Sequence, residues 1–242
     1  IACRKKGEKS AKKAAKRCNS PQAMNGERKA TERLVLVGGF YVLSGALGLI
    51  YEVVFSKYLG YIFGATAYAS SAVLVAFMGG LAVGAMVAGR LEKRIERPLF
   101  VYGWAELAIG CFCLIAPSLF GGLTAYYVDL APRAKGSVVL LSVVRALFAV
   151  AIVAVPAAGM GTTLPLLARF IHGERPATAS RLLARLYAVN TAGGAFGSLV
   201  SAYVLIPSLG LGVTMRVCAL VSVLIGIAAM VVASKVKKTA TA

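Results

Sequence analysis

Four side chains in this sequence could do chemistry in an apolar setting: Glu52, Glu106, Arg145 and Asn190. Each lies in a run otherwise almost free of charge. A charged side chain deep in a bilayer is costly, so such a group faces protein or water, pairs with another charge, or carries a proton. Glu52 stands near the end of the first apolar run, where Lys57, Arg145 or a cationic ligand could balance it. Glu106 lies about 12 Å in from the start of the third run, and Arg145 about 12 Å in from the start of the fourth, at a helical rise of ~1.5 Å per residue. Both depths fall near mid-membrane. A buried Glu106–Arg145 pair has two readings: an ion pair that fixes helix register, or part of a substrate or proton path. Asn190 and Thr191 open the polar stretch of the fifth run, where they bond a neighbouring helix or line a cavity. Arg216, near the start of the sixth run, can snorkel to the surface.

No catalytic set accompanies these residues. His172 is the only histidine and lies beside Glu174 in a basic connection; Asp129 is the only aspartate. Neither a metal site nor a nucleophile–base–acid triad can be built from them. No glycine-rich loop of the nucleotide-binding kind appears. No cofactor and no metal are expected, and enzymatic activity is left undetermined. Cys111 and Cys113 are two apart, so on a helix they point ~200° from each other. The cysteines read as small buried hydrophobes.

The elements that must position these groups are membrane helices. Hydrophobic residues make up 59% of the 242, charged residues 15%, and mean hydropathy is +0.78. That composition excludes an ordinary soluble domain and defines a polytopic, all-α membrane protein. Six stretches are long enough to span the bilayer: 34–55, 66–89, 98–121, 137–158, 184–207 and 211–234. The fourth is irregular. Apolar character continues to Ile171 through Pro156, Gly159, Gly161 and Pro165, which predicts a bent helix, or a span followed by a short interfacial helix over 162–171.

Charge fixes the expected orientation. Residues 1–33 carry eleven Lys/Arg against Glu8, Glu27 and Glu32. The connection after the second span carries Arg90, Lys93, Arg94 and Arg97, and that after the fourth Arg169, Arg175, Arg181 and Arg185. Lys235, Lys237 and Lys238 come after the sixth. The other side has only Lys57, Arg133, Lys135 and Asp129. By the positive-inside rule both termini are cytoplasmic. The organisation is a basic tail (1–33), a six-helix domain (34–234) and a basic end (235–242). The tail has no aromatic residue for base stacking, so no nucleic-acid partner is expected. Residues 1–23 precede the first methionine, Met24, and are expected not to be native structure.

Glycines add a packing signal. Gly80 and Gly84 in the second span, and Gly193 and Gly197 in the fifth, place small residues four apart, the spacing that lets helix backbones approach. These spans are equivalent if three helices are repeated, a 3+3 pattern. Close packing without a repeat explains the glycines nearly as well.

Four segments, in order, carry a family resemblance. They are Ser44-Gly45-Ala46-Leu47-Gly48-Leu49-Ile50-Tyr51-Glu52-Val53-Val54-Phe55-Ser56, Phe63-Gly64-Ala65-Thr66-Ala67-Tyr68-Ala69, Met160-Gly161-Thr162-Thr163-Leu164-Pro165-Leu166-Leu167-Ala168-Arg169 and Leu186-Tyr187-Ala188-Val189-Asn190-Thr191-Ala192-Gly193-Gly194. Through them, residues 34–234 resemble the membrane domain of the bacterial fused major-facilitator/spermidine-synthase-like proteins. Ala88-Gly89-Arg90-Leu91-Glu92-Lys93-Arg94 is similar to the major-facilitator loop between helices two and three, without its usual Asp. The resemblance implies a half-major-facilitator fold in the bacterial inner membrane and a polyamine-related context. In that family a cytoplasmic aminopropyltransferase-like domain usually comes after the helices; none lies within these residues, so no catalytic residue carries over. The implied function is to anchor, and to exchange a cationic or small polar substrate with, such a domain. The alternative is a non-transporting anchor or assembly subunit that pairs with itself or another six-helix half.

Overall fold

The computed structural model describes residues 21–63, 67–91, 94–130, 138–174 and 178–240, and every regular element among them is helical. The helices are α1 (Pro21–Phe63), α2 (Ala67–Leu91), α3 (Pro98–Leu130), α4 (Val138–Glu174), α5 (Ala179–Val200) and α6 (Ile206–Ala240), with a π-helical turn at Ser201–Leu205 joining the last two. The chain divides into two compact units, Ile1–Gly39 and Phe40–Ala242. Within the first, residues 21–39 are helical. The second holds the remainder of α1 and all of α2 to α6.

Five apolar stretches are long enough to cross a membrane: Leu34–Tyr61, Ser70–Leu91, Pro98–Tyr126, Ala146–Gly173 and Ala179–Lys235. The chain is an all-α, multi-pass membrane protein in contact with lipid. The helices outlast the spans expected from sequence. α1 continues well past residue 55, because Lys57 is exposed and interrupts neither hydrogen bonding nor packing of its helix. This corrects the depth of Glu52: it lies ~14 Å before Tyr61, toward the middle of its apolar stretch rather than one turn from its end.

The irregular fourth segment is one helix through Pro156 and Pro165 to Glu174; the separate interfacial helix is not formed, and His172 sits in the last turn instead of a loop. Proline removes one helical hydrogen bond, and membrane helices tolerate this where side-chain hydroxyls and neighbouring helices serve the local backbone. Here Thr162 Oγ1 donates to the Gly159 carbonyl and Thr163 Oγ1 to that of Met160, each at 2.7 Å. Pro165 has no N–H for the Gly161 carbonyl.

The last stretch, 57 residues, would measure ~86 Å as one straight helix against a hydrocarbon core of ~30 Å. It is broken at Gly210, whose φ of 75° and ψ of 168° lie outside helical space. Only glycine adopts that region freely.

Contacts fix the relative directions of the helices. Ser44 meets Glu106 and Phe55 meets Phe120, so α1 and α3 run parallel. Gly193 faces Val42 and Gly197 faces Ala46, so α5 is parallel to α1. Gly80 faces Ala154 and Gly84 faces Ala158, so α2 is parallel to α4. Gly103 meets Gly226 and Gly110 meets Ala219, so α6 is antiparallel to α3. Exchanging α1 with α4, α2 with α5 and α3 with α6 maps one contact onto another. The approach of Gly80 and Gly84 to Ala154 and Ala158 becomes that of Gly193 and Gly197 to Val42 and Ala46. The contact of Gly161 with Leu81 becomes that of Leu49 with Gly194.

Candidate functional site

Glu106 is a fully buried carboxyl within the bundle, at 1% exposure. It accepts a hydrogen bond from Ser44 Oγ on α1. Tyr102, one turn earlier and also 1% exposed, turns its hydroxyl toward the same carboxyl, but that hydroxyl has no partner within hydrogen-bond geometry. Among the described residues no cation acts on Glu106. The Arg145 side chain lies outside the described residues, and with it the expected Glu106–Arg145 pair.

Ser44 also lines a cavity of about 460 Å³ walled by α1, α2, α4 and α5. Its size suits a small molecule. Tyr41, Ser44, Gly45, Gly48 and Leu49 come from α1, and Phe77, Met78, Leu81 and Ala85 from α2. Residues 160, 161 and 163–165 come from the proline-bearing part of α4, and Tyr187, Asn190, Thr191 and Gly194 from α5. Small residues make this possible. A Cβ on Gly45 would overlap the Asn190 side-chain amide, and one on Gly161 would overlap the Leu81 carbonyl. Asn190 Oδ1 is buried there without a hydrogen-bond partner. An unpaired buried polar atom costs ~1–3 kcal/mol unless something satisfies it.

A second cavity, about 550 Å³, lies between α2, α3 and α4 beside Trp104 and Phe112. Its one hydroxyl, that of Thr162, is already bonded to Gly159, so apart from the Trp104 indole its lining side chains are apolar. The first cavity is therefore the candidate site.

Of the four residues singled out in the sequence, the structure brings Asn190 to the cavity wall and Glu106 one hydrogen bond behind it. Glu52 is half-buried and does not line the cavity, but continues the helical stripe of Gly45, Gly48 and Leu49, a turn beyond the rim. Among the described residues neither Lys57 nor Arg216 pairs with it, and Arg216 is exposed. Gly80, Gly84, Gly193 and Gly197 lie at helix contacts: a Cβ on Gly80 would stand 2.7 Å from the Ala154 carbonyl oxygen, and one on Gly197 2.6 Å from that of Ala46. Sequence reasoning missed Ser44, Tyr41, Tyr102 and Thr163 as site residues. The signal was the i, i+3, i+4, i+7 spacing of Tyr41, Ser44, Gly45 and Gly48, which puts small and polar groups on one face.

The bundle defines a multi-pass membrane protein with an internal cavity. No family model, curated protein or solved structure matches the chain.

Proposed function

We propose that this chain is a six-crossing membrane domain resembling half of a major-facilitator transporter, with both termini in the cytoplasm of a bacterial inner membrane. It anchors a spermidine-synthase-like cytoplasmic partner and moves a cationic or small polar substrate for it. Six crossings are supported by helix direction: α5 runs parallel to α1, whereas α6, after the Gly210 break, runs antiparallel to α3, itself parallel to α1. The exchange of three helices with three is the signature of an inverted repeat, and transporters of that kind bind substrate at the repeat interface. A six-helix half completes such a transporter by pairing with a second copy or another half.

One observation carries the functional reading. The cavity sits between the two sets of three helices, with an unpaired buried amide oxygen at Asn190 and a buried carboxyl at Glu106 reached through Ser44. The test is uptake of a labelled amine into vesicles containing the protein. Wild type is expected to accumulate it, with Glu106→Gln near background and Glu52→Gln reduced. Equal uptake by wild type and both variants would overturn the site assignment.

A further inference from the structure

The residues that exchange across the pairing of α1–α3 with α4–α6 have diverged in polarity where they line the cavity. Gly80 matches Gly193 and Gly84 matches Gly197. In the same register Phe77 matches Asn190, Met78 matches Thr191 and Leu81 matches Gly194, and all six line the cavity. One wall is therefore apolar and the equivalent wall polar.

Three hydroxyls of the cavity lining have no proton left to give. Thr191 Oγ1 donates to the Tyr187 carbonyl at 2.9 Å, Thr163 Oγ1 to that of Met160, and Ser44 Oγ to Glu106. Each hydroxyl has used its single proton, and acceptor lone pairs remain. Asn190 Oδ1 is an acceptor with no donor. None of the lining residues is a lysine or arginine, so an anion meets no positive charge, only the neutral donors of the Asn190 amide nitrogen and the Tyr41 and Tyr187 hydroxyls.

We infer that the cavity takes a single-headed amphiphile, a primary ammonium on an apolar body. The head lies between Asn190 and Ser44, and the body lies against Phe77, Met78 and Leu81. Glu106, one hydrogen bond behind Ser44, favours a cationic head over a neutral one. A second ammonium at the far end would meet the apolar wall and lose its water without gaining a partner. The inference deepens the proposed transport reading, and rests on it only for the use of the cavity.

The test uses the full chain in lipid nanodiscs and a photoreactive octylamine with a diazirine at its tail end, with labelled residues mapped by mass spectrometry. Labelling is expected at residues 77–81. Unlabelled octylamine should compete, while octanoate and α,ω-octanediamine compete at least about tenfold less well. Asn190→Leu, close in volume, should reduce labelling about tenfold. Competition on the wild-type protein decides the matter if that variant does not fold. Labelling confined to exposed Val75, Val83 or Phe196, or equal competition by octanoate or the diamine, would overturn the inference. Labelling at 77–81 without any uptake in vesicles would leave this inference standing and overturn transport. Amine uptake with no labelling would do the reverse.

Discussion

Gly84→Leu is expected to prevent α2 from docking on α4. Even a Cβ at this position would overlap the Ala158 carbonyl oxygen. Main chain cannot step aside as the end of a flexible side chain can. Overpacking typically destabilises by ~1–3 kcal/mol where side chains can yield, and here the obstacle is backbone on both sides. Gly84→Ala should already lose about 3 kcal/mol, and Leu more. Gly79→Leu is the matched control: nothing lies within 4 Å of its added Cβ. Thermal unfolding and the fraction of monodisperse protein after detergent extraction measure the difference. Gly84→Leu should yield little folded protein and Gly79→Leu a wild-type amount. Equal behaviour would mean that α2 and α4 do not meet at this point.

The second large effect is at Glu106. Its carboxyl accepts from Ser44 inside a closed contact between α1 and α3. Glu106→Ala removes the acceptor, leaves the Ser44 hydroxyl without its partner and opens a void at a buried position. Lost hydrogen bonding and cavity formation together make a loss of about 3 kcal/mol or more. Glu106→Gln keeps volume and an acceptor oxygen, so it should remain folded within about 1 kcal/mol. It should nevertheless lose uptake, because the group behind Ser44 can no longer carry charge. Ser44→Ala should fall between them in stability. A Glu106→Ala protein as stable as Glu106→Gln would show that the Ser44 hydroxyl finds a partner elsewhere and that the void collapses.

Several of these features were legible in the residues. Membrane class came from composition. Glu106 was locatable near mid-membrane by counting from Pro98, since α3 begins there. Gly80, Gly84, Gly193 and Gly197 stood out by spacing, although sequence alone could not choose between a repeat and simple packing. The chain's reach was harder to read. Pro156 and Pro165 look like stop signals, yet α4 passes through both, each proline removing a single hydrogen bond from a helix packed among its neighbours. Lys57 looks like the end of the first span, yet that span runs on to Tyr61 and leaves Glu52 deeper than its sequence position suggests. The cavity itself was invisible. It exists where Gly45, Gly48, Gly161 and Gly194 omit side chains, and an absence on one helix means nothing until another helix is placed beside it. Ser44 was visible only as part of a family-like run. Its partner lies 62 residues away, a separation that no local pattern encodes.

The most direct test of the cavity as the working site is to fill it. Gly48 lines it, and a Cβ there would meet only Met160 Sδ, at an ordinary 3.7 Å. Leucine at this position can enter the open space without striking main chain. Uptake of a labelled amine should be compared for wild type, Gly48→Leu and Gly121→Leu, the last standing where nothing lies within 4 Å. All three should extract as folded protein, with Gly121→Leu transporting like wild type and Gly48→Leu at background. A folded Gly48→Leu protein with undiminished uptake would contradict the assignment of function to this cavity.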